Sequence, residues 1–110
     1  MTNEYGALLD RNGYAQSLLN CGVDRCWFCG AKSGLERHEV FGGALRDKSK
    51  KYGLWANLCA EHHRTGENAV HRNADSAKRM KDTAQRVAMA YYGWDLDDWM
   101  QRFYKNHLED

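Results

Sequence analysis

Two ligand-spaced pairs, Cys26-x2-Cys29 and Cys59-x2-His62, separated by a 29-residue spacer, constrain this chain more than any other feature. Each pair places two soft donors on one short turn, and two such turns brought together complete a tetrahedral zinc site. Four protein ligands leave no open position, so such a site staples the fold and takes no part in chemistry. The competing reading is a set of buried thiols without metal. Cys21 is left over, a free thiol or a substitute for one of the other three.

A staple suits the size of the chain. With 110 residues it is most simply one domain, residues 1–110, and a core of that size is not generous. Charged residues make up 28% and hydrophobic ones 43%, the balance of a globular protein. The net charge of +1 hides a local asymmetry. Arg46, Lys48, Lys50 and Lys51 cluster, whereas Asp95, Asp97, Asp98, Glu109 and Asp110 lie towards the C-terminus. Any nucleic-acid binding must therefore be a patch property. No apolar run approaches the roughly 20 residues of a membrane span, and the N-terminus lacks a signal-peptide layout, so an intracellular, cytoplasmic location is expected. In that reducing compartment Cys-x2-Cys reads as a metal motif.

The pattern along the chain predicts an α+β fold. Residues 1–13, with Gly6 and Asn12-Gly13, read as irregular, and Tyr14 to Asn20 as a short helix. Cys26 to Gly30 has the form of a knuckle in which Gly30 takes a positive φ. Leu35–Phe41 and Leu54–Leu58 read as strands, with a basic loop or short helix between them. In the first strand Leu35, Arg37, Glu39 and Phe41 share one side, and Glu36, His38 and Val40 the other. A helical turn starts at Ala60 and is interrupted by Gly66. Ala77, Met80, Ala84, Val87, Ala88 and Tyr91 then repeat with helical period over about Ala74–Tyr91. Asp95 is the N-cap of a last helix that carries Leu96, Trp99, Met100, Phe103 and Tyr104 on one stripe. The two helices form a hairpin, residues 74–108, over a metal core of about residues 24–73.

The zinc set leaves His38, Glu39, His63 and His71 unused within a 34-residue window. A divalent ion held by few protein ligands activates a phosphate and stabilises a leaving oxygen, and a neighbouring imidazole or carboxylate activates water. These residues point to a second, functional metal site.

The run Arg37-His38-Glu39-Val40-Phe41-Gly42-Gly43, followed by Arg46, Ser49, Tyr52-Gly53-Leu54, Leu58-Cys59, His63 and Val70-His71, resembles the HNH endonucleases. These are also called ββα-metal or His-Me finger nucleases. The likeness is to a phage-associated, recombination-linked group and covers about residues 24–73. It implies a ββα-metal finger bracketed by the zinc site, with DNA as substrate and Mg²⁺, Mn²⁺ or Ni²⁺ as the catalytic ion. It also implies a setting in a larger recombination or phage complex. Carried over by position, His38, His63 and His71 become ligands of that ion, and Glu39 stands where a general-base histidine is common. Either Glu39 or His38 then serves as the base. Two features depart from the pattern. Glu39 replaces an imidazole, and the family's central asparagine falls near Gly53-Leu54, so Asn57 receives no catalytic role.

Arg46, Lys48 and Lys51 lie between the two strands, and Arg64 and Arg72 flank the histidines. As phosphate contacts they would give salt-dependent affinity with little sequence preference. The expectation is a metal-dependent DNA endonuclease of low specificity; its competitor is a catalytically inactive zinc module that binds nucleic acid or protein.

Overall fold

Leu35–Glu39 (β1) and Trp55–Cys59 (β2) pair antiparallel with Leu35 opposite Cys59 and Glu39 opposite Trp55. That register makes a two-stranded sheet in the computed structural model, which describes residues 1–108. Glu109 and Asp110, counted in the C-terminal charge, lie outside the described residues. Residues directly opposite share a face. Glu36 and His38 therefore lie on the face of Leu58 and Ala56, and Arg37 on that of Asn57. β1 is shorter than the predicted strand because Val40 N–H still bonds to Leu54 O at 3.1 Å but Phe41 N–H turns to Ser49 Oγ at 3.0 Å.

A 3₁₀ turn, Gly43–Leu45, and a short helix, Arg46–Lys51 (α1), connect the strands. Ser49 is fully buried beneath this connection and also donates to Phe41 O at 2.8 Å, which sets the strand exit. After β2 comes one π-helical turn, Glu61–Thr65. It ends where Gly66 N–H bonds to Glu61 O at 2.8 Å; a Cβ at Gly66 would lie 2.6 Å from that same oxygen, so only glycine closes the turn.

The long helix Ala74–Tyr92 (α2) is capped by Asn73, whose side chain accepts from Ser76 N–H at 3.0 Å. Asp95 caps Leu96–Phe103 (α3) in a reciprocal box with Asp98. Met80, Ala84 and Ala88 of α2 and Trp99 and Phe103 of α3 are buried in one core with Phe41, Leu54, Leu58, Val70 and Cys26. Trp99 and Phe103 stack at 4.3 Å, and Phe41 packs on Phe103 at 5.0 Å. The helices thus cover the sheet and reach the knuckle, where Arg79 lies over the rings of Trp27 and Phe28.

Three packing expectations are corrected. Tyr14–Asn20 is not a helix: Ala15 N–H bonds to Lys50 O and Leu18 N–H to Gly53 O, both at 2.9 Å, so the segment is irregular, tied to the α1–β2 corner, and ends in a turn. Tyr91, placed on the buried stripe, is 65% exposed, and Tyr92 turns inward instead to donate to Tyr52 O at 2.7 Å. Tyr104 is 66% exposed because α3 stops at Phe103 and Tyr104 takes the left-handed backbone position after it. Residues 1–13 are irregular but tied down, with Asn3 donating to Lys51 O at 2.8 Å. Among the described residues no helix is long and apolar enough to cross a membrane.

Candidate functional site

The Cys26–Gly30 knuckle closes on itself: Gly30 N–H bonds to Cys26 O and Cys26 N–H to Ala31 O, both at 2.8 Å, with Gly30 at φ +77°. Trp27 N–H then bonds to Asn57 O at 2.9 Å, which pins the knuckle to β2 beside Cys59. Asn57 is spent on this structural role, receiving Trp27 at its carbonyl and donating its N–H to Asn20 Oδ1 at 2.8 Å. It lies on the opposite sheet face from His38.

This docking gathers Cys26, Cys29, Cys59 and His62 into one cluster whose ligand atoms all lie within 4.8 Å of one another. Cys26 Sγ is 3.8 Å from His62 Nδ1, Cys29 Sγ is 3.8 Å from Cys59 Sγ, and Cys59 Sγ is 3.3 Å from His62 Nδ1. Zinc–sulfur bonds of about 2.3 Å and zinc–nitrogen bonds of about 2.0–2.1 Å put tetrahedral donors roughly 3.5–3.8 Å apart. Donor chemistry and spacing therefore fit a zinc ion. Phe28 stacks on the His62 ring at 5.4 Å, holding the imidazole. Cys21 is a free, exposed thiol outside the cluster, with its Sγ 3.4 Å from Leu18 O.

The π-helical turn sends the two adjacent histidines in different directions, His62 to the thiols and His63 into a second cluster with His38 and His71. His71 is eight residues beyond His63, too far for one helical turn. The chain doubles back instead: Val70 N–H bonds to His62 O at 2.8 Å and His71 N–H to His63 O at 3.3 Å. The Nε2 atoms of His63 and His71 then face each other at 3.0 Å, and the His38 ring lies 5.2 Å from both of the other rings.

Glu36, to which the sequence reading gave no role, accepts from His63 Nδ1 at 2.8 Å. With the proton on Nδ1, the Nε2 lone pair of buried His63 points into the cluster. The available signal was alternation, since Glu36 and His38 share a strand face. The bond to His63 holds the Glu36 carboxyl below the usual range. Burial, reinforced by the neighbouring charges of His63 and His71, pushes His38 down to about 4. Burial and the same kind of crowding lower His71. Both shifts favour the neutral imidazole at His38 and His71, the form that a divalent ion requires.

Glu39 is outside this cluster. Its Oε1 accepts from Arg46 Nε at 2.7 Å and from Tyr14 OH at 2.9 Å. Burial alone would raise its carboxyl, but these two donors outweigh it and hold Glu39 below the usual range. Glu39 still lines the same open cleft of about 320 Å³ as His38, His63, His71, Arg37, Arg46 and Arg64.

Of the basic residues expected at phosphates, only Arg46 and Arg64 line that cleft. Lys48 donates to Arg102 O at 2.8 Å and lies over the Tyr104 ring, anchoring the end of α3. Lys51 is 3.7 Å from Glu4, and Arg72 donates to Thr65 O at 2.7 Å, bracing the loop before α2. Comparison with family models, with curated proteins and with solved structures finds no match.

Proposed function

We propose that this chain is a metal-dependent endonuclease of the HNH, or ββα-metal, type that hydrolyses DNA phosphodiester bonds with low sequence specificity. The observation that carries this reading is the convergence of His38, His63 and His71 beside a separate Cys₃His cluster, in an open cleft rimmed by arginines. The Cys₃His set is closed and would hold zinc as a staple. The three imidazoles would hold a divalent transition ion such as Ni²⁺ or Mn²⁺ in preference to Mg²⁺, whose usual ligands are oxygens, and the ion when bound supplies Lewis-acid stabilisation of the phosphate and of the leaving oxygen.

The protein's own groups divide the remaining work. Glu36 fixes His63 through Nδ1, so that Nε2 faces the cleft. Arg64 and Arg46 meet the phosphate oxygens at the rim; Arg46, 63% exposed at its side chain, exchanges a carboxylate partner for a phosphate one. Glu39 is the carboxylate of the cleft and takes the base role. Arg46 and Tyr14 both bond its Oε1, so Oε2 is engaged by neither donor. Water attacks phosphorus as its proton passes to Glu39, the bond to the leaving sugar oxygen breaks, and solvent protonates that oxygen.

One observation favours a second reading, a zinc module that binds nucleic acid without cutting it. The ion pair with Arg46 makes Glu39 a weaker base than a free carboxylate. Incubating a labelled duplex with zinc-loaded protein and each divalent ion separates the two. Strand cleavage that is lost in Glu39→Gln supports the nuclease; binding without cleavage in every ion supports the module.

A further inference from the structure

A second basic cleft, of about 300 Å³, lies between the first turns of α2 and the segment that follows α3. Ala74 and Ala77 form its small-residue lining, and Lys78, Lys81, Lys105, Asn106 and His107 supply its polar groups. The charges there are unequal. Lys78 is neutralised by Asp82 at 3.0 Å and also donates to His107 O at 3.2 Å. Lys81 and Lys105 have no ion pair among the described residues. Burial first, and then the charges of Lys81 and Lys105, lower His107 against the opposing charge of Asp82.

The cleft adjoins the histidine site. The His107 ring packs 5.1 Å from Phe41, three residues after His38. A cationic cleft with an alanine lining offers little flat aromatic surface for a base, but it fits the repeating charge of a sugar–phosphate backbone.

We infer that Lys81 and Lys105 hold backbone phosphates of the DNA strand beside the one bound at the histidine cleft, and that Lys48 and Lys51 do not. The nature of the polyanion rests on the nuclease reading; the position of the contact does not. The test is fluorescence anisotropy with a labelled duplex, zinc-loaded full-length protein and no other divalent ion, repeated across a range of KCl. Lys81→Ala/Lys105→Ala is compared with Lys48→Ala/Lys51→Ala, which removes the same charge from α1, and circular dichroism on heating confirms that loss of the Lys48 bond to Arg102 O leaves the fold intact. The expected result is a loss of affinity of about tenfold or more for the first pair, with a salt slope shallower by about two units, and a much smaller effect of the second. Equal losses for both pairs, no loss in either, or no binding by the native protein would overturn the inference. Parallel plasmid nicking separates the two ideas. Lysine-dependent binding without nicking keeps the cleft and removes the nuclease; nicking with lysine-independent binding does the reverse.

Discussion

Glu36 Oε1 lies 2.8 Å from His63 Nδ1, so a half-exposed carboxylate on β1 orients a buried imidazole on the π-helical turn 27 residues away. A histidine bonded in this way has its other nitrogen committed to one direction, here towards His71.

Removing that orientation weakens the histidine site without touching the thiol site. Glu36→Gln is expected to lower Ni²⁺ or Mn²⁺ affinity by about tenfold to a hundredfold, with zinc content unchanged. Titration calorimetry on zinc-loaded protein, with elemental analysis for zinc, reads both quantities.

The residues of the Cys₃His cluster are legible in the sequence because each pair is local: a knuckle needs only two cysteines, a short turn and a glycine. The helices are legible for a similar reason, through the period of Met80, Ala84 and Ala88 and through the cap at Asp95. What the linear pattern does not carry is partnership at a distance. The bonds of Ala15 and Leu18 to Lys50 and Gly53 override a helix-like stretch, and the return of His71 to His63 depends on a loop closed by Gly66. Glu39 reads as a free carboxylate until Tyr14, 25 residues earlier, is seen to bond it. Lys48 and Lys51 read as part of a basic loop or short helix, yet one anchors α3 and the other pairs with Glu4.

Zinc removal should unfold the knuckle end first. Residues 20–31 have no regular helix or strand to hold them, and Cys26 is part of the main core. Cys59→Ala is expected to lose tight zinc and most of its cooperative thermal transition, because metal binding to such a site is folding free energy. Mass spectrometry under native conditions and circular dichroism on heating check the two effects.

The core that sets the site is aromatic. Phe103 is 1% exposed, stacked on Trp99 and packed against Phe41, which leads out of the strand bearing His38. Phe103→Ala should cost about 3–5 kcal/mol in urea denaturation, a large share of the stability of a domain this size.

Acid should destabilise the fold through His38. Its pKa is pushed down to about 4 in the folded chain, against roughly 6.5 when unfolded, so between these values the unfolded chain binds the extra proton. The stability due to neutral His38 is full above the upper value and is lost as pH falls towards the lower one. That loss is at most about 3 kcal/mol. Urea midpoints for native protein and His38→Gln, measured from pH 7 to pH 4, should change differently, with the native protein losing more.

Supercoiled plasmid nicking by zinc-loaded protein, with Mg²⁺, Mn²⁺ or Ni²⁺ added and His63→Ala run beside it, bears most directly on the nuclease reading. The expected result is divalent-ion-dependent nicking by the native chain, absent in His63→Ala while that variant keeps its zinc and its fold. Intact plasmid in every ion with folded, zinc-loaded native protein would contradict it, as would nicking that survives the loss of His63.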